Sequence, residues 1–368
     1  MKIVLTGGGT GGHLFPLIAV AKELRKILGA ECDLLYIGNG GKIEEEAMAK
    51  EGITAKAVLS GKKRRYFSWQ NFIDPFKVPI GIIQSLWILL LYMPDAVFSK
   101  GGHVSLPVVI AAWTYRIPVL IHESDAVPGS SNRFLAKFAK RIAVSYPSAK
   151  EYFPKEKVAL TGNPIRPEIS EGNAEAFKSQ FALTGSKPIL LVLGGSQGSQ
   201  VINKAIVRIL PKILPRMHVI HQTGNGNYDE VVHEAAQFGI KAGRDGYLPF
   251  GFIELDALKD AFAAANLVIS RAGANSIAEI AANGKPAILV PLQGSANNHQ
   301  VMNAYSLSRF GGAFVEEENN LGENIFFTNI IKISDDVNLQ NLMAEKIRAF
   351  HHPEAANKIA EAIIEIAS

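Results

Sequence analysis

Cysteine is almost missing from this chain of 368 residues: Cys32 stands alone. An intrachain disulfide is therefore excluded, a reducing compartment is expected, and Cys32 reads as a small apolar filler. No Asp-x-Asp pair occurs, so a metal-bridged diphosphate site of that type is not indicated and no metal is expected. No Gly-Lys-Ser/Thr follows a glycine loop, which removes most kinases and ATPases. No basic segment followed by a long apolar run stands at the start, so no secretory signal is expected. The most apolar stretch, residues 78–93, is shorter than the roughly 20 residues of a membrane span, and Pro79 and Gln84 interrupt it. His103, His122 and His218 lack metal-ligand spacing and read as structural.

Glycine, by contrast, stands twice directly after a strand-like run. Lys2-Ile3-Val4-Leu5-Thr6 leads into Gly7-Gly8-Gly9-Thr10-Gly11-Gly12-His13. Ile189-Leu190-Leu191-Val192-Leu193 leads into Gly194-Gly195-Ser196-Gln197-Gly198. Glycine lets the backbone turn sharply and approach a ligand, and the helix that follows offers unpaired N–H groups to an anion. Two such units imply two nucleotide-type domains and a phosphate-bearing ligand. Gly7-x-Gly9-x-x-Gly12 matches the dinucleotide fingerprint formally, but the next strand ends Tyr36-Ile37-Gly38-Asn39 without the acid that would hold a ribose. Nicotinamide and flavin chemistry are disfavoured, and no cofactor is expected.

Strands are expected near 2–6, 33–38, 95–99, 118–122 and 141–145, then near 188–193, 217–222, 267–271 and 286–291. Helices are expected near 14–28, 104–115 and 130–140, then near 200–210, 256–264, 275–283 and 299–309. This alternation gives an α/β fold of two Rossmann-like, doubly wound parallel-sheet domains. Gly162-Asn163-Pro164-Ile165-Arg166-Pro167 is a stiff, non-helical crossing between them. The expected domains are 1–163 and 164–350, with a tail at 351–368 whose helix packs back toward the first domain.

Charge is lopsided. Residues 1–165 hold 21 Lys+Arg against 13 Asp+Glu, whereas residues 166–368 hold 17 against 21. A basic half suits an anionic surface or substrate. The stretch 78–93 is apolar around nearly its whole circumference, more than one sheet face requires. Lys62, Lys63, Arg64, Arg65 and Lys77 precede or open it, and Lys137, Lys140 and Arg141 are expected to join them. Apolar side chains ringed by cations predict contact with an anionic membrane surface.

Two further segments carry chemistry. Arg271-Ala272-Gly273-Ala274-Asn275-Ser276-Ile277-Ala278-Glu279 follows an apolar strand. It reads either as a phosphate- and ribose-binding helix start or as a capping box with Asn275 or Ser276 as cap and Glu279 as its acid. Pro291-Leu292-Gln293-Gly294-Ser295-Ala296-Asn297-Asn298-His299-Gln300 is a polar loop where α/β sheets bind ligands.

Taken in order, these segments resemble the peptidoglycan N-acetylglucosaminyltransferases that convert lipid I to lipid II, and the likeness covers essentially the whole chain. It rests on residues 8–16, on Lys100-Gly101-Gly102-His103, Ile121-His122-Glu123-Ser124-Asp125 and Gly162-Asn163-Pro164-Ile165-Arg166, and on residues 194–198, 271–279 and His299-Gln300. The resemblance implies a GT-B fold with two domains facing a cleft. It implies an inverting glycosyltransferase with UDP-N-acetylglucosamine as donor, lipid I as acceptor, no nucleic-acid partner, and a peripheral place on the cytoplasmic face of the membrane beside other cell-wall synthesis proteins. Thr10, Gly11 and Gly12 would approach the donor or the acceptor diphosphate, and Asp125, Arg166 and Ser196 would contact the nucleotide sugar. Ile253 would hold uracil through its backbone. Ala274, Asn275, Ser276, Ile277, Ala278 and Glu279 would bind diphosphate and ribose, and Gln300 the sugar hydroxyls. Asp125 stands where many members carry Asn, and an ionised Asp cannot donate as an amide does. His13 is the expected general base, held neutral by the positive end of its helix, with Glu123 or Asp125 as substitutes and a structural, loop-capping role as the plain reading. Other GT-B enzymes on UDP sugars, such as diacylglycerol glycosyltransferases and UDP-N-acetylglucosamine 2-epimerases, are the nearest alternatives. A non-catalytic sugar-nucleotide binder is a further one.

Overall fold

A computed structural model describes residues 1–8, 11–61, 70–195 and 197–368. The chain divides into two units, Met1–Arg166 with His352–Ser368, and Pro167–His351.

The first unit runs β1 (Lys2–Thr6), α1 (Gly11–Leu28), β2 (Asp33–Gly38), α2 (Lys42–Lys50), β3 (Thr54–Ala57), α3 (Gln70–Tyr92), β4 (Ala96–Ser99), α4 (Ser105–Thr114), β5 (Val119–Glu123), α5 (Ser130–Leu135), β6 (Arg141–Val144) and β7 (Val158–Leu160). The second runs α6 (Ala174–Gln180), β8 (Ile189–Leu193), α7 (Gln200–Ile213), β9 (His218–Gln222), α8 (Tyr228–Gln237), β10 (Tyr247–Phe250), α9 (Leu255–Ala264), β11 (Leu267–Ser270), α10 (Ala274–Ala282), β12 (Ala287–Leu289), α11 (His299–Arg309), β13 (Ala313–Val315), α12 (Glu323–Asp335) and α13 (Val337–Ala349). A last helix, α14 (Ala355–Ala367), belongs to the first unit.

Both sheets are parallel, in the orders β3-β2-β1-β4-β5-β6-β7 and β10-β9-β8-β11-β12-β13. Each is the doubly wound order, which reverses direction beside its first strand. The central strands are buried on both faces, which explains their unbroken apolar runs. Ile359, Ala360, Ile363 and Ile366 of α14 recur at helical spacing and join the core formed by Leu14, Leu17 and Leu24 of α1. The second core gathers Leu190, Val192, Ile206, Leu210, Ile269 and Ile288.

The structure adds β3, β7, β10 and β13, the outermost strands of the two sheets, which the pattern of apolar runs does not reveal. It also shortens the helix expected near 130–140 to Ser130–Leu135 and extends the apolar helix upstream to Gln70. Among the described residues, no helix is long and apolar enough to cross a membrane.

Candidate active site

In a doubly wound sheet, ligands meet the carboxyl ends of the strands where the order reverses. In the first unit that point lies between β1 and β4, so the loops after them face each other. The first is Gly7-Gly8 and the second Lys100-Gly101-Gly102. A Cβ built on Gly8 would stand 2.6 Å from Val104 Cγ2, so the two loops pack too closely for any larger residue. A Cβ on Gly102, whose φ is +86°, would lie 3.6 Å from His13 Nε2. His13 thus occupies the reversal point itself, in the first turn of α1. Burial, the charge of Lys100 and that of His103 push its pKa down to about 3, and the ring is neutral at pH 7. Tyr36, buried near the end of β2, donates its hydroxyl to the Gly7 carbonyl and fixes the loop from below.

Beside this loop lies a buried cluster of charged groups. Glu123 ends β5, and its carboxylate accepts from the Asp125 N–H (3.0 Å), the Gly129 N–H (3.1 Å) and Asn132 Nδ2 (3.0 Å). Burial raises the Glu123 pKa, Asp125 raises it further, and Lys100 opposes both. Burial lowers the Lys100 pKa against the pull of the same two carboxylates. Asp125 is therefore held by its own backbone on Glu123. His122 is buried as a structural residue, its Nε2 within 3.1 Å of the Gly162 carbonyl and 3.2 Å of Ser145 Oγ. Arg166 lies over the ring of Phe15 at 4.1 Å, which brings its guanidinium to the same helix as His13.

In the second unit the order reverses between β8 and β11. Ser199 caps α7, with its Oγ accepting from the Ile202 N–H at 3.3 Å. Gly198 adopts φ +77° against the Thr223 backbone, a position open only to glycine. After β11 the chain enters α10 with Gly273 as N-cap and no side-chain cap. The capping-box reading therefore does not hold: Asn275 and Ser276 lie inside the first turn. The Ile277 N–H is the first to find a partner in the helix, the Gly273 carbonyl at 3.0 Å. The N–H groups of Ala274, Asn275 and Ser276 precede that bond and form the positive end of α10. Ile277 is fully buried, so its side chain belongs to the core and only its backbone can meet a ligand. Glu279 is buried one turn on.

Ile253 is buried, and its N–H donates to Gln222 Oε1 at 3.0 Å. Gln222, the last residue of β9, also donates from Nε2 to the Gly195 carbonyl at 3.0 Å. Its one amide thus ties the glycine loop to the Ile253 segment, a role that sequence reading missed. Gln300 Oε1 accepts from the Leu292 N–H at 3.0 Å, which folds the 291–300 loop on itself.

Each unit therefore collects its own candidates. Gly12, His13, Asp125 and Arg166 lie in the first, and Ile253, Ala274, Asn275, Ser276, Ile277, Ala278, Glu279 and Gln300 in the second. Gly11 opens α1. Thr10, Ser196 and the basic run Lys62, Lys63, Arg64 and Arg65 lie outside the described residues. Tyr36, Lys100 and Gln222 receive no role in the site from sequence reading, although Lys100 and Gln222 are polar residues at or just beyond the carboxyl end of a buried strand. Among the described residues no group of His, Cys, Asp and Glu is arranged to hold a metal ion.

Residues 3–144 match the glycosyltransferase family 28 N-terminal domain and residues 189–361 its C-terminal domain. A relative from Bacillus cereus is 37% identical over 366 residues, 99% of each chain. It is named UDP-N-acetylglucosamine--N-acetylmuramyl-(pentapeptide) pyrophosphoryl-undecaprenol N-acetylglucosamine transferase 2. A Clostridium tetani protein of the same name without the final numeral is 40% identical over 330 residues, 89% of this chain and 88% of that one. Among solved structures, Acinetobacter baumannii MurG is 25% identical with a TM-score of 0.77 over 99% of both chains. The S. aureus MnaA–UDP complex, 13% identical with a TM-score of 0.71 over 98% of this chain and 95% of that one, shows likeness of fold alone.

Proposed function

The chain belongs to glycosyltransferase family 28, and we propose that it transfers N-acetylglucosamine from UDP-N-acetylglucosamine to the C4 hydroxyl of N-acetylmuramic acid in undecaprenyl-diphosphate-linked muramoyl pentapeptide. The full-length likeness to transferases named for that reaction carries the reading. The first unit receives the acceptor and the second holds the donor.

The hydroxyl oxygen attacks the anomeric carbon, the bond from that carbon to the diphosphate oxygen breaks, and UDP leaves with inversion. Two tasks fall to the protein. Charge developing on the departing diphosphate needs donors already in place. The first-turn N–H groups of α10 and Ser276 supply them in the second unit, and Glu279 accepts from the ribose hydroxyls. The attacking hydroxyl needs a base, and His13 takes its proton on a ring nitrogen. The imidazole is neutral when unliganded, and an arriving diphosphate adds negative charge that raises its proton affinity toward the working pH. Asp125, anchored through its own N–H on Glu123, accepts from the sugar rather than donating to it.

The acceptor is a lipid, and α3 supports docking on a membrane surface. Phe76, Ile80, Ile83, Trp87 and Leu90 are exposed and recur every three to four residues, so one face of this helix is an apolar stripe. An open depression in the same unit is lined by Arg116, Lys137, Lys140 and Lys157 with Trp113. An exposed apolar stripe and a cation-lined depression in one unit each suit the anionic cytoplasmic leaflet.

The test is transfer of label from radiolabelled UDP-N-acetylglucosamine to a lipid I analogue. Label in the lipid that depends on the analogue is expected. Donor binding without transfer would leave the nucleotide site standing and overturn the acceptor.

A further inference from the structure

An ion pair with no assigned role lies beside the donor-side loops of the second unit. Arg271 Nη2 stands 2.6 Å from Glu318 Oε1, with the two side chains 12% and 15% exposed. The same guanidinium donates to Ser199 Oγ at 2.6 Å and, through Nη1, to the Val290 carbonyl at 3.1 Å. The other carboxylate oxygen of Glu318 accepts from the Gln293 N–H at 3.2 Å.

The partners are distributed along one sheet edge. Ser199 caps α7 just after the glycine loop of β8, and Arg271 directly follows β11. Val290 directly follows β12, and Glu318 lies three residues beyond β13. One guanidinium and one carboxylate thus join the loops of four adjacent strands. Arginine suits this place because its rigid fork directs several donors at fixed angles, which a lysine ammonium cannot do. Through the Val290 carbonyl and the Gln293 N–H, the pair holds the start of the 291–300 loop most directly. That loop carries two non-glycine residues in the left-handed region, Asn297 at φ 55° and Asn298 at φ 54°, so its shape depends on outside support.

We infer that Arg271 and Glu318 are positioning residues that preset the 291–300 loop for the donor's sugar, without touching the donor. This rests on the donor reading above, in which Gln300 meets the sugar hydroxyls. A loop fixed beforehand spares the ordering cost at binding, so loosening it weakens recognition of the sugar more than of the nucleotide.

The experiment compares wild type with Glu318→Gln and Arg271→Lys. UDP and UDP-N-acetylglucosamine affinities are measured by calorimetry, and kcat and KM with the lipid I analogue. Hydrogen exchange of residues 291–300 is followed without ligand. Glu318→Gln is expected to weaken UDP-N-acetylglucosamine about tenfold while UDP changes less than twofold, to raise KM more than it lowers kcat, and to speed exchange across the loop. Arg271→Lys keeps the charge but loses the fork, and is expected to show the same pattern. Equal weakening of both ligands, or unchanged exchange in the loop, would overturn the inference. Exchange reads the support directly even where activity is lost. Wild type that binds UDP but gains nothing from the sugar would instead remove the donor reading on which the inference rests.

Discussion

The two units share one fold and one strand order, yet their reversal points are furnished differently. Around β1 and β4 stand ionisable groups whose proton affinities are displaced by burial and by one another: His13, Lys100 and Glu123. Around β8 and β11 stand bridging groups, Gln222 and Arg271, that tie loop to loop by hydrogen bonds. The first arrangement suits moving a proton, and the second suits holding an anion in a fixed frame. Fold alone does not separate these roles, because both units present a glycine loop and a helix start at the same place.

The comparison is broken most sharply at His13. His13→Ala removes the proton acceptor and leaves the second unit untouched. We expect kcat to fall about a thousandfold, the usual scale for a general base, with UDP-N-acetylglucosamine affinity unchanged. Turnover near wild type would move the role to Glu123 or Asp125.

Acid is expected to act on both units through their buried histidines. His221 has its Nδ1 2.9 Å from the Tyr247 hydroxyl and its Nε2 3.1 Å from Asn203 Oδ1. Asn203 spends its amide nitrogen on the Thr223 carbonyl at 3.0 Å, so its oxygen faces the ring and Nε2 carries the proton. Burial pushes the His221 pKa down to about 3. An unfolded histidine titrates near 6.5, so below that pH the unfolded chain binds the extra proton. Stability contributed by the neutral ring is present above about 6.5 and is lost as pH falls toward 3. At pH 5 each such histidine costs about 2 kcal/mol relative to pH 7. Urea unfolding at the two pH values should show a fall shared by His13, His122 and His221. In His221→Gln the fall should shrink by about 2 kcal/mol, and an unchanged difference would refute the linkage.

Gln222→Leu sharpens the comparison in the second unit. It keeps the bulk of the side chain, removes both hydrogen bonds, and leaves the buried Ile253 N–H without its partner. The expected result is a KM for UDP-N-acetylglucosamine raised about tenfold, on the scale of one unmade buried hydrogen bond. The acceptor KM should stay unchanged; a fall in kcat with both KM values unchanged would show general unfolding instead.

What could be read from sequence follows burial. The central strands β1, β4, β5, β8, β9, β11 and β12 are covered on both faces and announce themselves as apolar runs. The outermost strands β3, β7, β10 and β13 are three or four residues long, and Thr54-Ala55-Lys56-Ala57 lies mostly exposed. Such segments carry little hydrophobic signal. The site divides likewise. Glycine loops and the helix start at Gly273 have local signatures, whereas the partners of Gln222, Arg271 and Glu123 are distant in sequence and meet only when the sheet is assembled. Gln84, read as an interruption of the apolar stretch, accepts from the Leu59 N–H at 2.8 Å and anchors α3.

The smallest expected effect lies on α3 itself, where two faces of one helix can be compared. Gly81, Ser85 and Leu89 recur every four residues on the buried face, while Ile83 and Trp87 stand 67% and 63% exposed on the other. A folded chain in water gains nothing by leaving those side chains uncovered, so their use lies in what covers them. Ile83→Ser should leave thermal stability and turnover of a water-soluble acceptor analogue unchanged. It should weaken partition to anionic vesicles about fivefold, because roughly 1 kcal/mol of apolar transfer is lost. Leu89→Ser should do the reverse, lowering stability by about 2–5 kcal/mol as a buried apolar contact is removed. Added salt should weaken vesicle binding of wild type and of Ile83→Ser by the same factor, since the cations around Trp113 are intact in both. Equal vesicle binding by wild type and Ile83→Ser would mean that the stripe is covered by something other than lipid.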